Sequence, residues 1–183
     1  MGSLTTRIPR KNAFNPSKVV TVDHEFFKII EVGNIFHASD TTANIGAETT
    51  PADTIEIYFT TPADKIIVAS FGAFCSTAGA IFTLREGWTA GGGASGDALT
   101  PICLNREEHK TTPSLSLKIQ ADTITSGGTV LDQKNLTAGK FDGGDFKDTH
   151  PWSLATSTNY GVSVYLSGAG VAEVTMHWYE RLI

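Results

Sequence analysis

The chain has 183 residues, a formal net charge of -5, 40% hydrophobic residues and only 18% charged residues. That length suits one domain with a sizeable core. The low charge, with 18 Gly and many Thr and Ser, favours strands and tight turns over helices, which display a charged outer face. The acidic balance excludes nucleic-acid binding by bulk electrostatics, and no apolar run is long enough to cross a bilayer as a helix.

Residues 1–22 hold Arg7, Arg10, Lys11 and Lys18 and no acid, a local charge of +4 that leaves -9 for residues 23–183. With Pro9, Asn15 and Pro16 and few apolar side chains, this segment cannot bury enough surface to fold alone. It reads as an extended basic arm, followed by a β domain over 23–183. Its start lacks the apolar core of a secretory signal, so synthesis in a cytoplasm is expected.

Further along, KVVTV (18–22) and HEFFKIIEV (24–32) are weak strand candidates. Ile55, Ile57 and Phe59 alternate with polar neighbours, the period of a strand with one face inward. KIIVASFGAFC (65–75) and AIFTL (80–84) are apolar on both faces and read as central strands. The Gly-rich loop over 88–98 reads as a surface tip. Alternation returns at Leu115, Leu117 and Ile119. Short edge strands are expected at 129–131 and at Trp152-Ser153-Leu154-Ala155. Tyr160, Val162, Val164 and Leu166 form another alternating run. In the last one, Ala172, Val174, Met176 and Trp178 face the core, and Glu173, Thr175 and His177 face solvent or a neighbour. Eight to ten strands without long crossovers predict an antiparallel β-sandwich with jelly-roll or Greek-key connections.

Sites for chemistry are sparse. None of His24, His37, His109, His150 and His177 has the spacing of a metal motif along the chain. His24-Glu25 and His177…Glu180 read as accidental neighbours. Cys75 and Cys103 read as two buried thiols rather than a bridge. Asp142, Asp145 and Asp148 share a Gly-rich loop but not the order of a calcium-binding EF-hand, and read as solvated. Nucleophile elbows, P-loops and dinucleotide fingerprints are absent from the sequence. No catalytic, cofactor or metal residue is singled out, so an enzyme is not expected. Exposed tryptophans would permit sugar stacking; Trp178 reads as core, and Trp88 and Trp152 as possible surface rings.

One stretch carries a resemblance. Leu84-Arg85-Glu86-Gly87 ends a strand before a Gly-rich loop. Leu99-Thr100-Pro101, Asn105-Arg106 and Thr125-Ser126-Gly127-Gly128-Thr129-Val130-Leu131 follow. This order, over about a quarter of the chain, is similar to that of small tailed-bacteriophage virion proteins, including capsid decoration proteins. Glu107, Glu108 and His109 depart from the small polar residues expected after the Asn-Arg pair. The resemblance implies a homo-oligomer, a trimer on the outer surface of the virion capsid. Its partner would be the major capsid protein, with no cofactor, nucleic acid or membrane. Arg7, Arg10, Lys11, Phe14 and Lys18 of the arm are the expected capsid-binding residues, Arg supplying forked donors to carboxylates and Phe14 an anchor. A host-recognition or carbohydrate-binding virion module is the alternative, and a glycan hydrolase on a sandwich the third reading.

Overall fold

A computed structural model of the chain describes residues 35–45, 55–76, 79–90, 97–104, 112–119, 124–143, 151–166 and 168–183. The arm and the candidate strands at 18–22 and 24–32 lie outside them. Every regular element in the described residues is a strand. In chain order they are β1 (Ile35–Ile45), β2 (Ile55–Thr60), β3 (Lys65–Cys75), β4 (Ala80–Glu86), β5 (Thr89–Ala90), β6 (Asp97–Leu99) and β7 (Ile102–Cys103). Then come β8 (Leu117–Ile119), β9 (Ile124–Ser126), β10 (Thr129–Leu136), β11 (Phe141–Gly143), β12 (Trp152–Leu154), β13 (Asn159–Tyr165) and β14 (Gly170–Leu182).

Pairing follows one nested plan. β1 pairs with β14, β2 with β13, β3 with β11 and β12, and β4 with β10, all antiparallel. The chain is thus a long hairpin folded back on itself. β14 then pairs with β3, and β13 with β4, which rolls the hairpin into two sheets. The first runs β11-β3-β14-β1-β7, with β12 also on β3; the second runs β10-β4-β13-β2-β8-β6. This is the jelly-roll form of the expected sandwich. A two-stranded ribbon, β5-β9, lies outside both sheets.

Register decides which residues meet. Phe36 sits opposite Trp178, Ala38 opposite Met176, and Phe59 opposite Tyr160. The side-chain period of two puts Phe36, Ile67, Ala69, Phe71, Val174, Met176 and Trp178 on the inner face of the first sheet. Ile57, Phe59, Phe82, Leu84, Tyr160, Val162 and Val164 fill the inner face of the second, all in one buried cluster. Tilted Phe36–Trp178 rings, 5.4 Å between centroids, and stacked Phe59–Tyr160 rings, 5.8 Å, anchor the two halves.

Two buried polar knots lock the sandwich. Glu180 on β14 accepts from Lys65 Nζ at 2.7 Å and from the Ser114 amide at 2.7 Å; the Ser114 hydroxyl and the Trp178 indole also donate to it. This ties the segment before β8, in the second sheet, to β14 in the first. Elsewhere the Tyr160 hydroxyl donates to Glu86 and accepts from the Ala155 amide, both at 2.9 Å. Thr61 accepts from the Thr158 amide and donates to the Ala155 carbonyl, closing the turn that holds Ser157 at φ 52°.

Several expectations are corrected. The described residues hold fourteen strands, not eight to ten. β1 was not foreseen, and β10 extends to Leu136 as a polar edge strand. The described ends of the 88–98 segment are anchored: Trp88 is buried, Thr89–Ala90 pairs with β9, and Asp97–Leu99 pairs with β8, while residues 91–96 lie outside the described residues. Thr175, expected toward solvent or a neighbour, is only 4% exposed. Cys75 is buried as expected, but Cys103 is half-buried; both are thiols.

Candidate functional site

The arm residues Arg7, Arg10, Lys11, Phe14 and Lys18 lie outside the described residues, as do His24, His109, His150, Asp145 and Asp148. Among the described residues no group of three or more His, Cys, Asp or Glu is placed to hold a metal ion. Among the same residues no helix is long and apolar enough to cross a membrane.

The two ends of the stretch carrying the resemblance pack together. Arg85 donates to the Gly127 carbonyl at 2.7 Å. Gly128 has φ +54°, and a Cβ there would stand 2.4 Å from the Glu86 carbonyl oxygen and 2.9 Å from the Trp88 nitrogen. Only glycine tolerates both that backbone and that approach. The Leu84–Gly87 and Thr125–Leu131 motifs are therefore one structural unit, a strand end clasped by the turn between β9 and β10.

Trp88 follows directly and lies on the outer face of the second sheet, 1% exposed. Its ring covers Gly161, where a Cβ would fall 1.1 Å from a ring carbon. Tyr58 meets it edge-on at 5.9 Å between centroids. Trp88 is a packed ring, not a sugar platform, which corrects the surface reading. Trp178 is in the core as expected. Trp152, on edge strand β12, is 36% exposed and is the one tryptophan of the three that reaches solvent.

A polar cluster sits on the outer face of the first sheet. β1 and β14 place His37 directly opposite His177, and β3 places Ser70 on the other side of His177. The His37 Nδ1 and His177 Nε2 are 3.0 Å apart, with ring centroids 4.5 Å apart. Thr175, the next residue on this face, lies between Gly72 and Ser39. Ser70 is 1% exposed, and the Ser70 and Thr175 hydroxyls are buried without a hydrogen-bond partner among the described residues. Burial pulls the His37 imidazole below its ordinary pKa, and the charge of Glu173 offsets part of that. Reading along the chain missed this pair because its members are 140 residues apart. His177, by contrast, projects from the face of β14 opposite to that of Glu180, so their closeness in sequence was accidental.

The buried carboxylates are structural in their geometry. Burial pushes Glu180 up, but the hydrogen bonds from Lys65 and Ser114 outweigh it and hold it below the usual carboxylate range. Burial also pushes Tyr160 up to about 12, reinforced by the Glu86 carboxylate and opposed by the Ala155 amide. Asp40, inward beside Val174, is raised by burial.

Comparison with protein-family models, curated proteins and solved structures finds no match to this chain.

Proposed function

We propose that this chain is a structural virion protein that decorates and stabilises the outer surface of a bacteriophage capsid. The observation that carries the reading is a jelly-roll sandwich joined to a segment of +4 charge while the remainder carries -9. Jelly rolls serve as viral capsid and lectin domains, so the fold suits the role without selecting it. The charge split supplies the second support. An acidic domain repels acidic surfaces, and a basic segment gives it a means of approach. The resemblance over residues 84–131 is the third, and the partner it implies is the major capsid protein. Repetition on a symmetric shell would favour a homotrimer, and multivalent attachment would offset weak single contacts.

The test deletes residues 2–17 and adds the protein to shells lacking it, at low and high salt. Loss of binding on deletion, and salt-sensitive binding of the intact chain, are expected. Equal occupancy with and without the arm would overturn the role of Arg7, Arg10, Lys11 and Phe14. No binding by the intact chain would overturn the decoration role itself. A glycan-binding virion module is the second reading, favoured by exposed Trp152 alone. A glycan array with Trp152→Ala as control tests it.

A further inference from the structure

We propose that His37 and His177 form a two-imidazole chelate for a divalent transition-metal ion on the outer face of the first sheet. The two residues face each other across β1 and β14, and their ring nitrogens stand 3.0 Å apart. Imidazole nitrogens bind Zn²⁺ at about 2.0–2.1 Å, so two of them on one ion are separated by about 2.9 Å at a right angle and about 3.3 Å at the tetrahedral angle. The observed separation falls between these values. The same spacing accommodates a shared proton in an N–H···N hydrogen bond, and a metal ion would replace that proton.

The backbone fixes the donors in advance. Each histidine lies in an unbroken antiparallel register, with Phe36 opposite Trp178 before it and Ala38 opposite Met176 after it, both pairs packed in the core. Little freedom is lost when the ion binds, which is the condition for useful affinity from two ligands. The surroundings supply a second set of groups. Directly opposite residues in a sheet have Cβ atoms about 4.5–5.5 Å apart, which puts Ser70 beside His177. Thr175 precedes His177 on the same face. Both hydroxyls are buried without partners among the described residues. Water molecules filling the remaining coordination positions are strong donors, and these hydroxyls are acceptors suited to orient them.

Imidazole suits copper, nickel and zinc and not magnesium, so affinity should follow Cu²⁺ over Ni²⁺ and Zn²⁺, with no binding of Mg²⁺. The experiment is isothermal titration of the full chain with each ion, and with the His37→Gln and His177→Gln variants. One ion per chain is expected, with affinity falling about 10–100-fold or more in either variant, as for loss of groups that set a metal site. Failure of Cu²⁺, Ni²⁺ and Zn²⁺ to bind would overturn the proposal. So would undiminished binding in both variants, which would move the ion to His24, His109 or His150. Should either variant not fold, electron paramagnetic resonance of Cu²⁺ on the unaltered chain decides: two coordinating nitrogens support the chelate, and one or none refutes it.

Discussion

Replacing Gly161 by alanine probes the least obvious contact in the fold. The new methyl would stand 1.1 Å from one Trp88 ring carbon and 1.7 Å from the next. Carbon atoms rest about 3.5–4.0 Å apart, so the indole must move by more than 2 Å. It is 1% exposed and pressed against Tyr58, so a small tilt does not suffice. The ring should leave its place. The loss then approaches that of a Trp→Ala truncation, about 3–5 kcal/mol. For a chain of this length that lowers Tm by roughly 6–20 °C. The deciding measurement is a double-mutant cycle by urea unfolding. In the Trp88→Ala background the clash is gone, so Gly161→Ala should add less than about 1 kcal/mol, a coupling of 2 kcal/mol or more between touching sites. Additive losses, or a neutral Gly161→Ala in the unaltered chain, would refute this account of the Trp88 environment.

The remaining expectations concern the polar knots and the core. Glu180→Gln should cost about 1–3 kcal/mol by breaking charge-assisted hydrogen bonds to Lys65 and Ser114. The Glu180 pKa is depressed in the fold, so its contribution is present above the ordinary carboxylate range and is lost as pH falls through the folded value. Thermal unfolding across acidic pH should show a shallower decline in the variant, and identical acid limbs would count against the assignment. Tyr160→Phe should cost about 1–3 kcal/mol because Glu86 and the Ala155 amide each lose a partner. Tyr160 is raised to about 12, so the stability its neutral form confers is complete below pH 10 and fades as pH climbs toward 12; the phenylalanine variant should lack that alkaline component in unfolding scans. Trp178→Ala should cost about 3–5 kcal/mol and Trp152→Ala under about 1 kcal/mol in urea unfolding, and equal losses would contradict their different burial.

What could be read from the sequence follows physical lines. β2, β13 and β14 carry apolar residues on the inner face and polar residues or glycine on most of the outer one, so period two showed in their apolar residues even though Glu56, Ser163 and Thr175 are buried as well. β3 is buried on both faces over most of its length, so it showed as a continuous apolar run. β1 offers Phe36, Ala38 and Asp40 to the interior in turn, and a carboxylate at an inward position erased the pattern. β10 is an edge strand whose Asp132, Gln133, Lys134 and Asn135 carry no alternation. Trp88 was misread because a ring's burial depends on what lies beneath it, here a glycine on a strand far along the chain. The histidine pair was hidden for the same reason: nested pairing joins the two ends of the sequence, and spacing along the chain carries no trace of it.

The nested plan also gives β1 a particular place in the proposed role. It is the first of the described strands after the basic segment. Among its described side chains, Ile35, Phe36 and Ala38 are buried apolar groups, the last two within the main cluster. The ladder from Ile35–Tyr179 to Thr42–Ala172 and the short pairing with β7 add to that packing. The His37–His177 contact lies within that ladder. A cross-strand ion there would tie β1 to β14 between the packed Phe36–Trp178 and Ala38–Met176 pairs, and binding to the folded form alone would stabilise the seam by mass action. The two proposals remain separable. Attachment to shells tests the arm, and ion titration tests the seam, and either can fail while the other stands.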